Sequence, residues 1–174
     1  MSPDVLETFC KNVFHYRRVD TRSIAAEHAS PDVDNVLSAL QDGADLPDPL
    51  QAPILWYLAL RAADRYCNTH GCWPGSGTDG GSANSEAAVD EVWAEMQALG
   101  AECAGGDASA LTSLSRAHAV EIVRYGGCDI HNIGAIVGGI ASQEAVKLIT
   151  HQYVPINNTY LFNGLACVGK VYEL

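Results

Sequence analysis

Apolar positions recur at helical spacing through the first two thirds of the chain, and the pattern changes character twice after that. Ser2-Pro3-Asp4 supplies an N-cap, a proline at the first helical position and a first-turn acid. Val5, Leu6, Phe9, Val13 and Phe14 then follow on one face, which predicts a first helix. The same grammar recurs at Ser30-Pro31-Asp32, ahead of an apolar stripe of Val33, Val36, Leu37 and Leu40 that Gly43 is expected to end. Pro53 is tolerated only in a first turn, so a third helix carrying Ile54, Leu55, Leu58, Ala62 and Tyr66 should begin near it and stop at Gly71. Residues 71–85 are rich in glycine and serine and favour a mobile loop. Val89, Val92, Trp93 and Met96 mark a further helix; after the Gly105-Gly106-Asp107 break, Leu111, Leu114, His118 and Ile122 mark another.

From Asp129 to about Thr150 the stripe widens. Ile133, Ile136, Val137, Ile140, Val146, Leu148 and Ile149 spread round the helix and leave Gln143, Glu144 and Lys147 as its main polar groups, so it should be buried on most of its circumference. After Pro155 the period becomes that of strands: Thr159 to Phe162, then Asn163-Gly164, then Leu165 to Tyr172. Asn-Gly between β-prone runs predicts a hairpin, because both turn positions favour positive φ. A lone hairpin is marginal in water, and two strands cannot cover a helix that is apolar all round. The expectation is that the hairpin completes a sheet whose other strands belong to an absent amino-terminal region or to another chain, rather than that the amphipathic helices wrap it completely.

Composition narrows the partners. Ten Lys and Arg against 21 Asp and Glu give a net charge of −11, so nucleic acid and anionic lipid surfaces are expected to be repelled. Arg17, Arg18 and Arg22 form the dense basic cluster, and a solvated strand edge is the favoured reading over an anion or partner contact. At 48% hydrophobic and 174 residues the chain holds one ordinary core. No uninterrupted apolar run suggests a membrane span, and six cysteines with no signal peptide before them point to a soluble protein in a reducing compartment.

The segment 124–160 carries a resemblance. Gly138-Gly139, Gln143-Glu144, Lys147, Thr150 and Asn157-Asn158-Thr159-Tyr160, followed by a short strand, resemble the end of the inactive adenylation half in ubiquitin-like-modifier activating enzymes. More narrowly, they resemble the regulatory subunit of the neddylation type. Gly-Gly followed by Gln-Glu is common to many ThiF-type enzymes. The narrower likeness also draws on Phe9-Cys10-Lys11-Asn12, Arg22-Ser23-Ile24-Ala25 and the stretch from Leu58 to Tyr66, which resemble that subunit's helical insertion.

The resemblance implies an α/β, mostly helical fold. Residues 1–123 would form the helical insertion region, and residues 124–174 the closing helix and hairpin of a ThiF-like, Rossmann-type inactive adenylation domain. It also implies a longer subunit whose amino-terminal nucleotide-fold half lies outside these residues. The expected partners are a catalytic subunit and a ubiquitin-like modifier, in the cytoplasm or nucleus. ATP and magnesium would bind the catalytic partner, which performs the adenylation and thioester steps, while this chain binds no cofactor and braces the assembly. Rival readings are the inactive half of a SUMO-type enzyme, a stand-alone helical interaction module, and a zinc or redox protein built on the cysteines.

Residue by residue, the chemistry is sparse. A nucleotide site of this class needs a glycine-rich turn between a strand and a helix, and Gly134, Gly138 and Gly139 instead fall inside a helix, where small residues permit close packing. Cys67, His70 and Cys72 lack a second ligand pair at zinc spacing. No cysteine has an adjacent base, although Cys103 and Cys128 beside glycine turns are the most exposed candidates. His131 is expected to cap or pack at a helix start. Gln143 and Glu144, on a mostly buried helix, need hydrogen-bond partners from backbone or from another subunit. Asn157 and Asn158 should organise the turn into the hairpin. Together with Gly138, Gly139 and Tyr160, these four are the expected interface or structural positions.

Overall fold

The computed structural model describes residues 2–13, 22–76, 86–106, 111–125 and 127–174. Helix α1 (Pro3–Asn12) starts as the sequence predicts, with Ser2 Oγ accepting from the Val5 amide, yet none of its residues is buried. Phe14, Arg17, Arg18 and most of the glycine-serine loop, from residue 77 to 85, lie outside the described residues. Ser30 does not cap the next predicted helix. It ends a short helix that the pattern missed, α2 (Ile24–Ala29), while Asp32 Oδ1 caps α3 (Val33–Ala44) through the Asn35 amide. Six residues make fewer than two turns, too short to display a period. Nor does Gly43 stop α3. It lies buried inside the helix, where a Cβ would come 3.1 Å from that of Ala52.

After a 3-10 turn at Pro49–Gln51, α4 (Pro53–His70) runs between its predicted ends. Gly71 closes it at φ 72°, a left-handed value that glycine adopts without a steric penalty. α5 (Glu86–Cys103) and α6 (Arg116–Tyr125) pack on it. Leu111 and Leu114, read as part of the sixth helix, precede it in a turn and pack against the core instead.

Two apolar clusters share α4. On one side Ile54, Leu55 and Leu58 meet Val36 and Leu40 of α3 together with Tyr172 and Leu174 at the chain's end. On the other, Ala59, Ala62 and Tyr66 meet Val89, Val92, Met96 and Leu99 of α5 and Ala119 and Val123 of α6. The alanines bring α4 and α5 close, and the larger side chains fill the space on the α5 side.

A polar clasp joins these layers to the hairpin. Glu27, only 7% exposed, accepts from Tyr57 Oη at 2.6 Å and from Thr159 Oγ1 at 3.3 Å. Burial, and then the hydrogen bond to Glu27, push the Tyr57 phenol well above its ordinary range. The buried Arg61 donates to the His28 carbonyl at 2.9 Å and lies over the Tyr57 ring. Arg22, expected at a solvated strand edge, is exposed but bonded. It donates to the carbonyls of Ala26, Ser30 and Leu174, and so satisfies the open end of α2 and the last residue of the chain at once.

The hairpin pairs β1 (Thr159–Asn163) with β2 (Val168–Tyr172), Thr159 opposite Tyr172 and Asn163 opposite Val168. Its turn is not the two-residue Asn-Gly type. Four residues, 164–167, connect the strands, and the positive φ falls on Cys167. Asn163 is the reason. Its Oδ1 accepts from the Leu165 and Ala166 amides, folding the turn round the side chain, and its Nδ2 donates to the Leu50 carbonyl at 2.7 Å. Trp56 Nε1 donates to the same carbonyl, so the hairpin tip and α4 are fastened at one atom. Tyr160 lies across Gly169, where a Cβ would meet the phenol oxygen at 2.0 Å, so a larger residue there would have to push the ring aside.

The largest departure is α7 (His131–Thr150): none of its residues is buried. It is also long and apolar enough to cross a membrane by length and composition, which the run-by-run reading of the sequence did not register.

Two stability outcomes follow from this packing. Asn163→Ala removes the bond to Leu50 and the acceptor of both turn amides at a site only 6% exposed, and should cost about 1–3 kcal/mol in urea denaturation. His118 is fully buried between Trp56 and Ser115, and burial depresses its imidazole below the ordinary 6.5, opposed by Ser115 and Pro49 backbone groups and by Asp48. The folded pKa is the lower one, so stability should be level above pH of about 6.5 and fall below it as the unfolded chain takes up the proton first. His118→Phe should flatten that slope in urea midpoints measured between about pH 5 and about pH 7.5.

Candidate partner interface

The expected interface positions lie on α7, on the segment that leads from it into the hairpin and, for Tyr160, on β1. At its start α7 has no side-chain cap. Neither Ile130 at the N-cap position nor His131, the exposed first residue, supplies one, contrary to the capping or packing role read for His131. At its end His151 takes the left-handed conformation, and its amide bonds the Lys147 carbonyl.

Along the helix Ile136, Val137, Val146, Leu148 and Ile149 remain exposed, Ile149 at 78% and Leu148 at 60%. Fully burying such side chains is worth about 1.5–3 kcal/mol each. Since these are roughly half covered already, a cover would add on the order of 5 kcal/mol, comparable to the whole stability of a small domain. The expectation of burial is therefore not met within this chain. The apolar surface that prompted it stands open.

Gly138 and Gly139 are both exposed, and a Cβ at either would meet nothing within 4 Å. Within the described residues, then, nothing approaches the helix closely at the two positions where the sequence permits it. The pair Gln143 and Glu144 divides. Gln143 is exposed, whereas Glu144 is half-buried and receives Lys147 Nζ at 2.6 Å and the Ile156 amide at 2.7 Å. The Lys147 ammonium first, and then the Ile156 amide, hold the Glu144 carboxyl below its ordinary range. Of the two options open at that residue, backbone or another subunit, Glu144 takes the backbone. It ties the chain after α7 back onto the helix.

Asn158 and Asn157 do organise the entry to the hairpin. Asn158 donates its amide to the Tyr172 carbonyl, its Oδ1 accepts from the Leu174 amide and its Nδ2 donates to the Leu174 carbonyl, extending the ladder with side-chain bonds. Asn157 Nδ2 donates to Glu173 at 3.1 Å, while its Oδ1 is buried without a partner among the described residues. Tyr160 is half-buried over Gly169. Asn158 and Tyr160 thus serve the hairpin's own geometry. The open surface belongs to α7.

The cysteine readings also separate. Cys103 is buried rather than exposed, because it sits under the Arg61 guanidinium at the end of α5, and burial pushes its thiol up. Cys128 is exposed, as expected. His70 stacks on Tyr66 and bonds Glu91 at 2.8 Å, and burial raises the Cys67 thiol. Among the described residues no three His, Cys, Asp or Glu side chains gather as a metal site. Sequence reasoning did not find the buried roles of Glu27 and Arg61 or the anchoring of Asn163 to Leu50. A charged residue on an apolar helix face, as Arg61 is, was the one available signal.

No protein-family model matches the chain. Against curated proteins it is 31% identical over 176 residues to the NEDD8-activating enzyme E1 regulatory subunit of Danio rerio, covering 100% of this chain and 30% of that protein. It is 32% identical over 176 residues to the NEDD8-activating enzyme E1 regulatory subunit AXR1 of Arabidopsis thaliana, with 97% and 29% covered. The Caenorhabditis elegans regulatory subunit is 30% identical over 177 residues, with 94% and 30% covered. The chain is homologous to the carboxy-terminal part of the NEDD8-activating enzyme E1 regulatory subunits. It spans about 30% of the length of the relatives it matches. The mostly helical architecture with one small sheet agrees with that placement.

The Glu144 latch is open to test. Glu144→Ala should speed hydrogen exchange at the Ile156 amide, with Glu144→Gln intermediate because it keeps an acceptor. Because the folded carboxyl titrates below its ordinary 4.5, the latch's contribution is present above that value and is lost as pH falls through the depressed one. Exchange measured at progressively lower pH, corrected for the intrinsic rate, should rise at Ile156 in the parent chain and stay level in Glu144→Ala.

Proposed function

We propose that this chain acts as the carboxy-terminal part of the regulatory subunit in a heterodimeric activating enzyme for a ubiquitin-like modifier, in protein neddylation. The observation that carries the reading is similarity along essentially the whole chain to regulatory subunits of that name, joined to an apolar helix that this chain leaves uncovered. On this reading α7 and the hairpin close the sheet of a ThiF-type inactive adenylation half, and the α1–α6 region is the helical insertion. The catalytic partner binds ATP and magnesium, adenylates the modifier's carboxyl terminus and receives it on a cysteine thiolate. This chain contributes bracing and contact surface, and works in the cytoplasm or nucleus.

Two features support the division of labour. α7 presents glycines where another helix or a sheet can approach, and its charged pair, Glu144 and Lys147, is already neutralised within the chain. A covering layer would therefore bury apolar surface without stranding an unpaired charge. The inactive half of a SUMO-type enzyme shares the architecture, but the names of the matched relatives favour the neddylation type. A stand-alone helical module would have to leave α7 in water.

Co-expression of the full regulatory subunit containing this chain with its catalytic subunit tests the assignment. A one-to-one complex is expected, and Gly138→Leu should abolish it. A Cβ there meets nothing within 4 Å among the described residues, and leucine is a better helix former than glycine, so unchanged far-ultraviolet circular dichroism should accompany the loss. Undiminished co-purification of Gly138→Leu would count against α7 as the assembly face. A stable solitary monomer would count against the subunit reading itself.

A further inference from the structure

A second surface stands apart from the outer face of α7. A groove of about 580 Å³ opens between α4 and α6 on one side and the start of α7 and the hairpin turn on the other. Its walls are aromatic, with Trp56, Trp73, Tyr125 and Phe162 contributing. Two of these rings are set in advance. Trp56 is held by its bond to the Leu50 carbonyl and by edge contact with His118, and Trp73 packs so closely on Gly127 that a Cβ there would meet its Cγ at 3.2 Å. Rigid aromatic anchors lower the ordering cost of binding.

The floor offers little to a polar ligand. The Asn163 side chain is turned to Leu50, Leu165 and Ala166, and the Trp56 N–H is spent on Leu50, so the floor favours an apolar group. The rim is different. The charged side chains lining the groove are Glu121 and Asp129, both acidic, in a chain of net charge −11. The chain's own Arg124 already touches this rim, donating to Glu121 at 3.3 Å with its guanidinium 5.8 Å from the centre of the Tyr125 ring. Its side chain is 63% exposed, and an ion pair so open to water contributes little, so another cation can displace it. The rim thereby shows the chemistry it accepts: a guanidinium between a carboxylate and an aromatic face.

We propose that this groove docks a short segment of a partner protein in which an aliphatic side chain fills the Trp56–Phe162 floor and a neighbouring arginine or lysine takes the acidic, aromatic rim. Charge sets the orientation and excludes acidic segments, while the aromatic walls supply the contact area. The inference does not depend on α7 being an assembly face, since the groove is walled entirely by this chain.

Tryptophan emission reports on it directly, because Trp56 and Trp73 form its walls and Trp93 lies elsewhere. The full chain is titrated with an acetylated hexapeptide of alternating leucine and arginine, and with the same peptide carrying glutamate for arginine. A saturable change with the arginine peptide is expected, about tenfold weaker with the glutamate peptide. Glu121→Lys combined with Asp129→Lys should reverse the preference. Leu60→Glu, at a groove position 44% exposed and so tolerant of substitution, should abolish the response without altering circular dichroism. Equal response to both peptides, or response to neither, overturns the proposal. So does protection of Trp73 and Cys128 from oxidative footprinting in the peptide-free complex with the catalytic subunit, which would make the groove internal packing. Loss of co-purification bears on the assembly face alone and leaves these readouts intact.

Discussion

Burial of α4 constrains every other described element that touches it. Ten of its eighteen residues are buried, on both faces, so it needs helices on one side and something else on the other. α5 and α6 supply the first cover. The second comes from α3 and from the last residues of the chain, Tyr172 and Leu174, which enter the same cluster as Ile54 and Leu58. The hairpin is therefore bound to the helical body through α4 rather than through the helix that precedes it in sequence. Burial pushes the Tyr172 phenol up to about 12, opposed by a backbone hydrogen bond with Ile54, as expected of a ring that has become part of that core.

The polar clasp is the condition on which this arrangement holds. A carboxylate and a guanidinium, each 7% exposed, would each cost several kcal/mol if left without partners. Glu27 and Arg61 do not pair directly. Glu27 is satisfied by Tyr57 and Thr159, and Arg61 by the His28 carbonyl and the Cys103 sulfur. Tyr57 stands between the two charges, bonded to one and beneath the other. Such a network rewards one packing of α2, α4 and β1 and penalises displaced ones, which is a more defensible role for it than raw stability.

Local rules carried the sequence reading as far as local physics decided the outcome. The limits of α4 were legible because Pro53 and Gly71 act on their own backbone, and so was the start of α1, where Ser2 acts on its own first turn. Where tertiary contact decided, the reading failed in a consistent direction. Gly43 resembles a helix stop until Ala52 and Ile54 are seen to require a small residue there. Asn163-Gly164 resembles a two-residue turn until the Asn163 amide is seen to reach Leu50, more than a hundred residues away in sequence. Arg22 resembled surface charge because its acceptor at Leu174 lies 152 residues off. Among the expected interface positions, Asn157 and Asn158 bond to Tyr172, Glu173 and Leu174 across the hairpin, contacts that local turn chemistry does not specify, and the division between Gln143 and Glu144 depends on where the chain runs after α7.

α7 differs in kind, because its apolar pattern matches the helix that forms and only the location of the cover is missing. A helix apolar round its whole circumference states that it will be surrounded, and says nothing about which chain surrounds it. The glycines sharpen the point. Gly134, Gly138 and Gly139 each lower helix propensity by about 1 kcal/mol relative to alanine and receive no packing in return among the described residues. A helix that carries three such residues and leaves five large aliphatic side chains half in water is suited to a context that repays both. The matched relatives are more than three times longer, so the same helix in them has ample further surface to meet. Homology and hydration point the same way, and they do so from independent observations: one from residue identities along the chain, the other from the solvent left on its most apolar helix.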